Sequence, residues 1–118
     1  MLHEMRLGFI IFFACCILGF GCESQQEVFI SLDTGELFSF EFNACGDEEG
    51  ALIIEQAKHY SRSEIIRDST TNFCPIYYYI PEDGYNGLDY VIIESCTGGR
   101  GLKCDDYNTI EFKFKINE

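Results

Sequence analysis

Residues 76–95, IYYYIPEDGYNGLDYVIIES, decide how this chain folds. Two β-rich segments, 76–80 and 88–95, flank a crossing dense in turn residues. Pro81 cannot donate to a sheet ladder and closes the first segment. Gly84 and the Asn86-Gly87 pair supply positions where φ turns positive. A two-residue hairpin needs only one such signal. Two of them in one crossing predict a corner at which the chain passes between two sheets. Tyr85 is the large side chain available to plug it, and Asp89 is suited to accept hydrogen bonds from N–H groups left over in the turn.

The flanking sequence supplies further strands at short intervals, as in an all-β sandwich or barrel. Val28, Ile30 and Leu32 alternate with polar or outward positions, and Asp33-Thr34-Gly35 turns the chain. Phe38, Phe40 and Phe42 share a face opposite Ser39 and Glu41, and residues 51–55 form a third strand. Residues 63–67 fit a short edge strand, and the polar residues around them fit one helical turn. Segment 88–95 is apolar on both faces, the mark of a central strand covered on both sides. The closing strand is the cleanest: Ile110, Phe112, Phe114 and Ile116 alternate with Glu111, Lys113 and Lys115. The count is seven strands.

The 118 residues leave room for one domain. Its start is set by an export signal over residues 1–21, in which 7–20 is an unbroken apolar run. That run is shorter than the ~20 residues of a bilayer-spanning helix but fits a signal-peptide core. Gly19 and Gly21 give a small-x-small cleavage pattern ahead of Cys22, so the leader resembles a bacterial lipoprotein signal with Cys22 as the acylated residue. Gly19 stands where that signal usually has Leu, which leaves plain secretion as the alternative. Residues 22–27 then form a polar tether and 28–118 the domain. Acylation at Cys22 and loss of Cys15 and Cys16 with the leader leave four cysteines, an even set that reads as a disulfide framework in an oxidising compartment. Four cysteines allow three pairings. The strand layout favours Cys96 with Cys104, clamping the glycine-rich loop between them, and Cys45 with Cys74.

The acidic-Gly loop at residues 47–50, the Tyr79-x-Pro81 strand end and the Gly84-Tyr85-x-Gly87-x-Asp89-Tyr90 run together resemble the bacterial cadherin-like, immunoglobulin-type domain. The resemblance covers about residues 47–116. It implies a seven-stranded Greek-key immunoglobulin-like sandwich on a small exported lipoprotein of the cell envelope, held to the membrane by its lipid. The leading expectation is a non-catalytic module for adhesion, binding or structure, and an exposed tyrosine in the consecutive Tyr77, Tyr78 and Tyr79 suits a protein or glycan partner. The Asp-x-Asp calcium runs of true cadherin repeats are missing, and so are the multiple domains of adhesins.

Composition narrows the chemistry. A formal charge of −12 opposes binding to nucleic acid phosphates or to anionic lipid through charge. His59 is the one histidine outside the leader, in a polar stretch near Ser61 and Ser63, and reads as a surface residue rather than a catalytic base. No Cys/His spacing suits zinc. Calcium is the better metal candidate, through Asp47, Glu48 and Glu49, although no EF-hand spacing is present. No cofactor is expected. Arg100 and Lys103, in the loop before Cys104, are candidate binding residues. They suggest the alternative to the anchored module: a small secreted, disulfide-stapled inhibitor or immunity-type protein.

Overall fold

Alternation of aromatic and β-branched residues with polar ones gives seven strands in the computed structural model, which describes residues 25–97 and 106–118. They are β1 (Gln25–Asp33), β2 (Phe38–Glu41), β3 (Gly50–Glu55), β4 (Tyr60–Ile66), β5 (Ile76–Pro81), β6 (Gly87–Thr97) and β7 (Asp106–Asn117). A four-stranded sheet has the order β1-β7-β6-β3 and a three-stranded sheet the order β2-β5-β4. All pairings are antiparallel except that of β1 with β7. The fold is therefore a seven-stranded immunoglobulin-like sandwich. The corner after β5 does what its turn residues predict, carrying the chain from the three-stranded to the four-stranded sheet.

The core is an aromatic seam between the sheets. Tyr77 and Tyr79 of β5 face Phe112 and Phe114 of β7, and all four are fully buried. The Tyr79 and Phe114 rings stack at 3.9 Å, while Phe38 sets its edge against Phe112 and Phe114 at 5.3 and 5.5 Å. Such ring pairs each add roughly 0.5–1.5 kcal/mol beyond area burial. Period-two geometry puts Tyr78 on the other face of β5, where the Arg62 guanidinium lies 4.4 Å above its ring.

Strand limits differ modestly from the sequence reading. β4 begins at Tyr60, earlier than Ser63, and lies at a sheet edge as expected. Pro81 is the last paired residue of β5, opposite Tyr60, because the edge pairing there does not need its missing N–H. The anticipated helical turn is a 3₁₀ turn at Ser69–Thr71, closed by a capping box between Asp68 and Thr71.

The one larger correction concerns β6. It is central, between β7 and β3, but only one face is covered. Val91 and Ile93 are buried, whereas Leu88 on the opposite face is 72% exposed. Two-faced apolarity came from a sheet whose outer surface is itself partly apolar.

Candidate functional site

The two ends of the sandwich are built differently. At one end lie the β1–β2 turn, the β3–β4 connection and the β5–β6 corner, organised by a buried carboxylate. Asp89 is 4% exposed, and its oxygens accept N–H groups from Lys58 and His59, each at 2.9 Å, and from Tyr90 at 3.0 Å. The Tyr79 hydroxyl donates to it at 2.7 Å and lies 3.0 Å from the His59 carbonyl, the other acceptor within its reach. Asp89 thus caps the β3–β4 connection rather than the turn ahead of it. Sequence reasoning found the acceptor and missed its donors, which lie some thirty residues upstream. Burial, and after it the bond to Asp89, raises the Tyr79 hydroxyl well above the usual phenol range.

Tyr85 plugs the corner as expected, with a partner that the sequence did not reveal. Its ring stacks on His59 at 3.9 Å and its hydroxyl donates to the Leu88 carbonyl at 2.6 Å. Gly84 and Gly87 hold φ of 79° and 148°, and a Cβ on Gly87 would come within 2.9 Å of the Tyr85 hydroxyl. His59 is therefore part of the corner rather than a plain surface residue. Ser63, the candidate serine nearest the core, has its hydroxyl committed to Gln56 and Tyr77 at 2.6 and 2.7 Å. Ser61 points its hydroxyl at the carbonyls of Ile80 and Pro81. These bonds give His59 and both serines structural work.

The opposite end carries the loops. It presents residues 42–49 between β2 and β3, residues 67–75 between β4 and β5, and the stems of β6 and β7 at the Thr97–Asp106 pair. The first two loops are fastened to each other in three ways. A disulfide joins Cys45 to Cys74 with Cα atoms 4.3 Å apart, the pairing favoured by the strand layout. Phe42 N–H donates to the Pro75 carbonyl at 3.0 Å. The Arg67 guanidinium then donates to three carbonyls: Phe73 at 2.6 Å, Gly46 at 2.7 Å, and Glu49. A planar fork with five N–H groups suits this clamp, which lysine could not reproduce.

The clamp holds an unusual tip. Asn72 and Phe73 both sit in the left-handed region, at φ 54° and 59°. That region is costly for a bulky residue, and such outliers concentrate at functional sites. Phe73 is nonetheless 58% exposed, projecting beside the disulfide. Nothing in the sequence marked it, because a lone aromatic before a cysteine carries no signal.

Other expected site residues are placed as follows. Asp47, Glu48 and Glu49 lie on the β2–β3 loop, where the Glu49 carboxylate accepts the Gly46 N–H at 2.9 Å. Among the described residues no three His, Cys, Asp or Glu side chains gather as a metal site. Cys96 is disulfide-bonded, and the expected pairing with Cys104 falls outside the described residues. Cys22, Arg100, Lys103 and Cys104 lie outside them as well.

The fold is an immunoglobulin-like sandwich with a buried carboxylate organising one end and stapled loops at the other. The chain resembles in fold the solved structure of PbICP-C in complex with falcipain-2, with a TM-score of 0.52 and 12% sequence identity over 80% of this chain and 91% of that one. No family model matches the chain, and no curated protein matches it in sequence. The cadherin-like resemblance is one of sequence motif alone.

Proposed function

We propose that this is a small exported, disulfide-stapled module of the inhibitor type, which occludes a protein partner with its loop end. The observation that carries this reading is Phe73: an exposed aromatic in a left-handed backbone, held by Arg67 and the Cys45–Cys74 bridge. A rigid, preorganised aromatic loses little entropy on binding, which is what makes such residues interface anchors. Further support comes from the fold relative PbICP-C, captured in complex with falcipain-2. The disulfide fits an oxidising, extracytoplasmic setting.

Chain geometry favours free secretion over the lipid-anchored alternative. β1 begins at Gln25, level with Thr109 and hence at the loop end. Only three steps separate Cys22 from Gln25, a reach of about 10 Å when extended. A lipid on Cys22 would therefore press the loop end toward the bilayer and away from a partner.

The test is titration of the protein against falcipain-2 and a panel of secreted hydrolases, by calorimetry and by inhibition assay. Saturable binding to one of them, weakened by about 2 kcal/mol or more in Phe73→Ala, is expected. Binding to none of the panel, or binding that Phe73→Ala leaves unchanged, would defeat the reading. Fractionation of producing cells gives the companion result: release into the medium, with Cys22→Ala making no difference.

A further inference from the structure

Toward the loop end, β1, β7 and β6 all change character on the face they turn to the core. On β7, Phe112 and Ile110 give way to Asn108. On β6, Val91 and Ile93 give way to Ser95 and Thr97, and on β1, Val28 gives way to Gln26. The register sets Asn108 directly opposite Ser95, and Gln26 beside Ile110 one row deeper. From the other sheet come Phe40 and Phe42, their rings 4.9 Å apart, with Asn43 at the rim. Between the sheets this leaves a cleft of about 290 Å³. It lies at the small end of ligand pockets, which run from about 300 to 1,000 Å³.

Ser95 is the informative side chain. It is only 7% exposed, yet its hydroxyl makes no hydrogen bond among the described residues. No fully enclosed side-chain polar atom among them lacks a partner, so this hydroxyl opens onto the cleft that Ser95 lines. The side chains of Gln26, Asn43, Thr97 and Asn108 are likewise without hydrogen bonds there. Closing the end of a sandwich calls for alanine or valine at such a position, because a buried hydroxyl left unpaired costs about 1–3 kcal/mol.

The chemistry of the lining selects the ligand. Amides and hydroxyls both donate and accept, and none of them carries charge. No lysine, arginine or histidine lines the cleft among the described residues, and Glu41 is its one carboxylate. An anion would find no counter-charge, and a hard cation too few oxygens. An alkyl chain would leave the amides unpaired. A neutral polyhydroxylated ring meets both halves of the lining, its hydroxyls against the amides and its C–H face against the phenylalanines.

We propose that this cleft between the sheets binds one neutral sugar ring, presented as the terminal residue of a glycan. Ser95 and Asn108 take its hydroxyls from the four-stranded sheet, Asn43 closes on it from the rim, and Phe40 supplies the apolar wall. The cleft shares no residue with the Phe73 clamp and does not depend on it.

The test is titration of the isotope-labelled protein with methyl glycosides of neutral hexoses and N-acetylhexosamines, followed by amide chemical shifts. At least one glycoside is expected to give saturable shifts at Ser95, Thr97 and Asn108, with a Kd of about millimolar order for a single ring. Ser95→Ala should weaken binding about fivefold or more and leave the thermal midpoint unchanged, because no partner within the protein is stranded. Asn108→Leu, which continues the apolar alternation of β7, should fill the cleft and abolish binding in a folded protein. Glycosides that move no resonance into the tens of millimolar would overturn the proposal. So would shifts confined to other surfaces, a stronger response to the anionic methyl glucuronide, or binding indifferent to both substitutions. A Ser95→Ala protein of lowered midpoint would overturn it as well, by giving the hydroxyl to the fold.

Discussion

The Asp89 carboxylate accepts the Tyr79 hydroxyl at 2.7 Å, joining the first strand of the four-stranded sheet's centre to the middle strand of the other sheet. The same carboxylate takes the N–H groups of Lys58 and His59, so three chain segments meet at one buried charge. A charged acceptor with several donors is worth more than its neutral counterpart, and removing it strands every donor. Asp89→Ala is expected to cost about 3–5 kcal/mol in urea unfolding. Asp89→Asn keeps the shape but turns an amide toward N–H donors, and should recover only part of the loss.

Alkaline titration probes the same region. Burial raises the hydroxyls of both Tyr77 and Tyr79 well above the usual phenol range. A raised folded pKa means the contribution is complete below the unfolded value near pH 10 and is lost as pH climbs above it. Stability should thus be flat in this respect up to about pH 10, then fall by up to about 1.4 kcal/mol per pH unit for each tyrosine. Absorbance at the phenolate band should show two tyrosines that ionise only as the protein unfolds. Ionisation of all tyrosines in the folded state would contradict the buried seam.

Gly87 tests the corner. Its φ of 148° and the 2.9 Å approach of the Tyr85 hydroxyl leave no room for a methyl group. Gly87→Ala should lose the Tyr85–Leu88 bond and cost about 2–3 kcal/mol, whereas Gly35→Ala, with open space around it, should pay only the backbone penalty of about 1 kcal/mol.

The Cys45–Cys74 bridge closes a long loop, 29 residues apart in sequence. Chain entropy puts its contribution at about 3.5 kcal/mol, a large share of the 5–15 kcal/mol typical of a domain. Replacing both cysteines by alanine should lower stability by that order. It should also raise amide exchange first in residues 42–49 and 67–75, with Arg67 left as their remaining clamp.

Sequence alone determined the sandwich, its seven strands and the corner between 81 and 89. Those features are local: side-chain alternation, a proline without a donor and glycines at positive φ act over a few residues. The Cys45–Cys74 pairing, too, was favoured once the strands were ordered. Tertiary structure decided the rest. Which N–H groups Asp89 accepts, what Tyr85 stacks on, the Arg67 clamp and the projection of Phe73 all join segments distant along the chain. The uncovered outer face of β6 belongs with them, because apolar residues on both sides of a strand read alike whether the second side meets a helix, another chain or water.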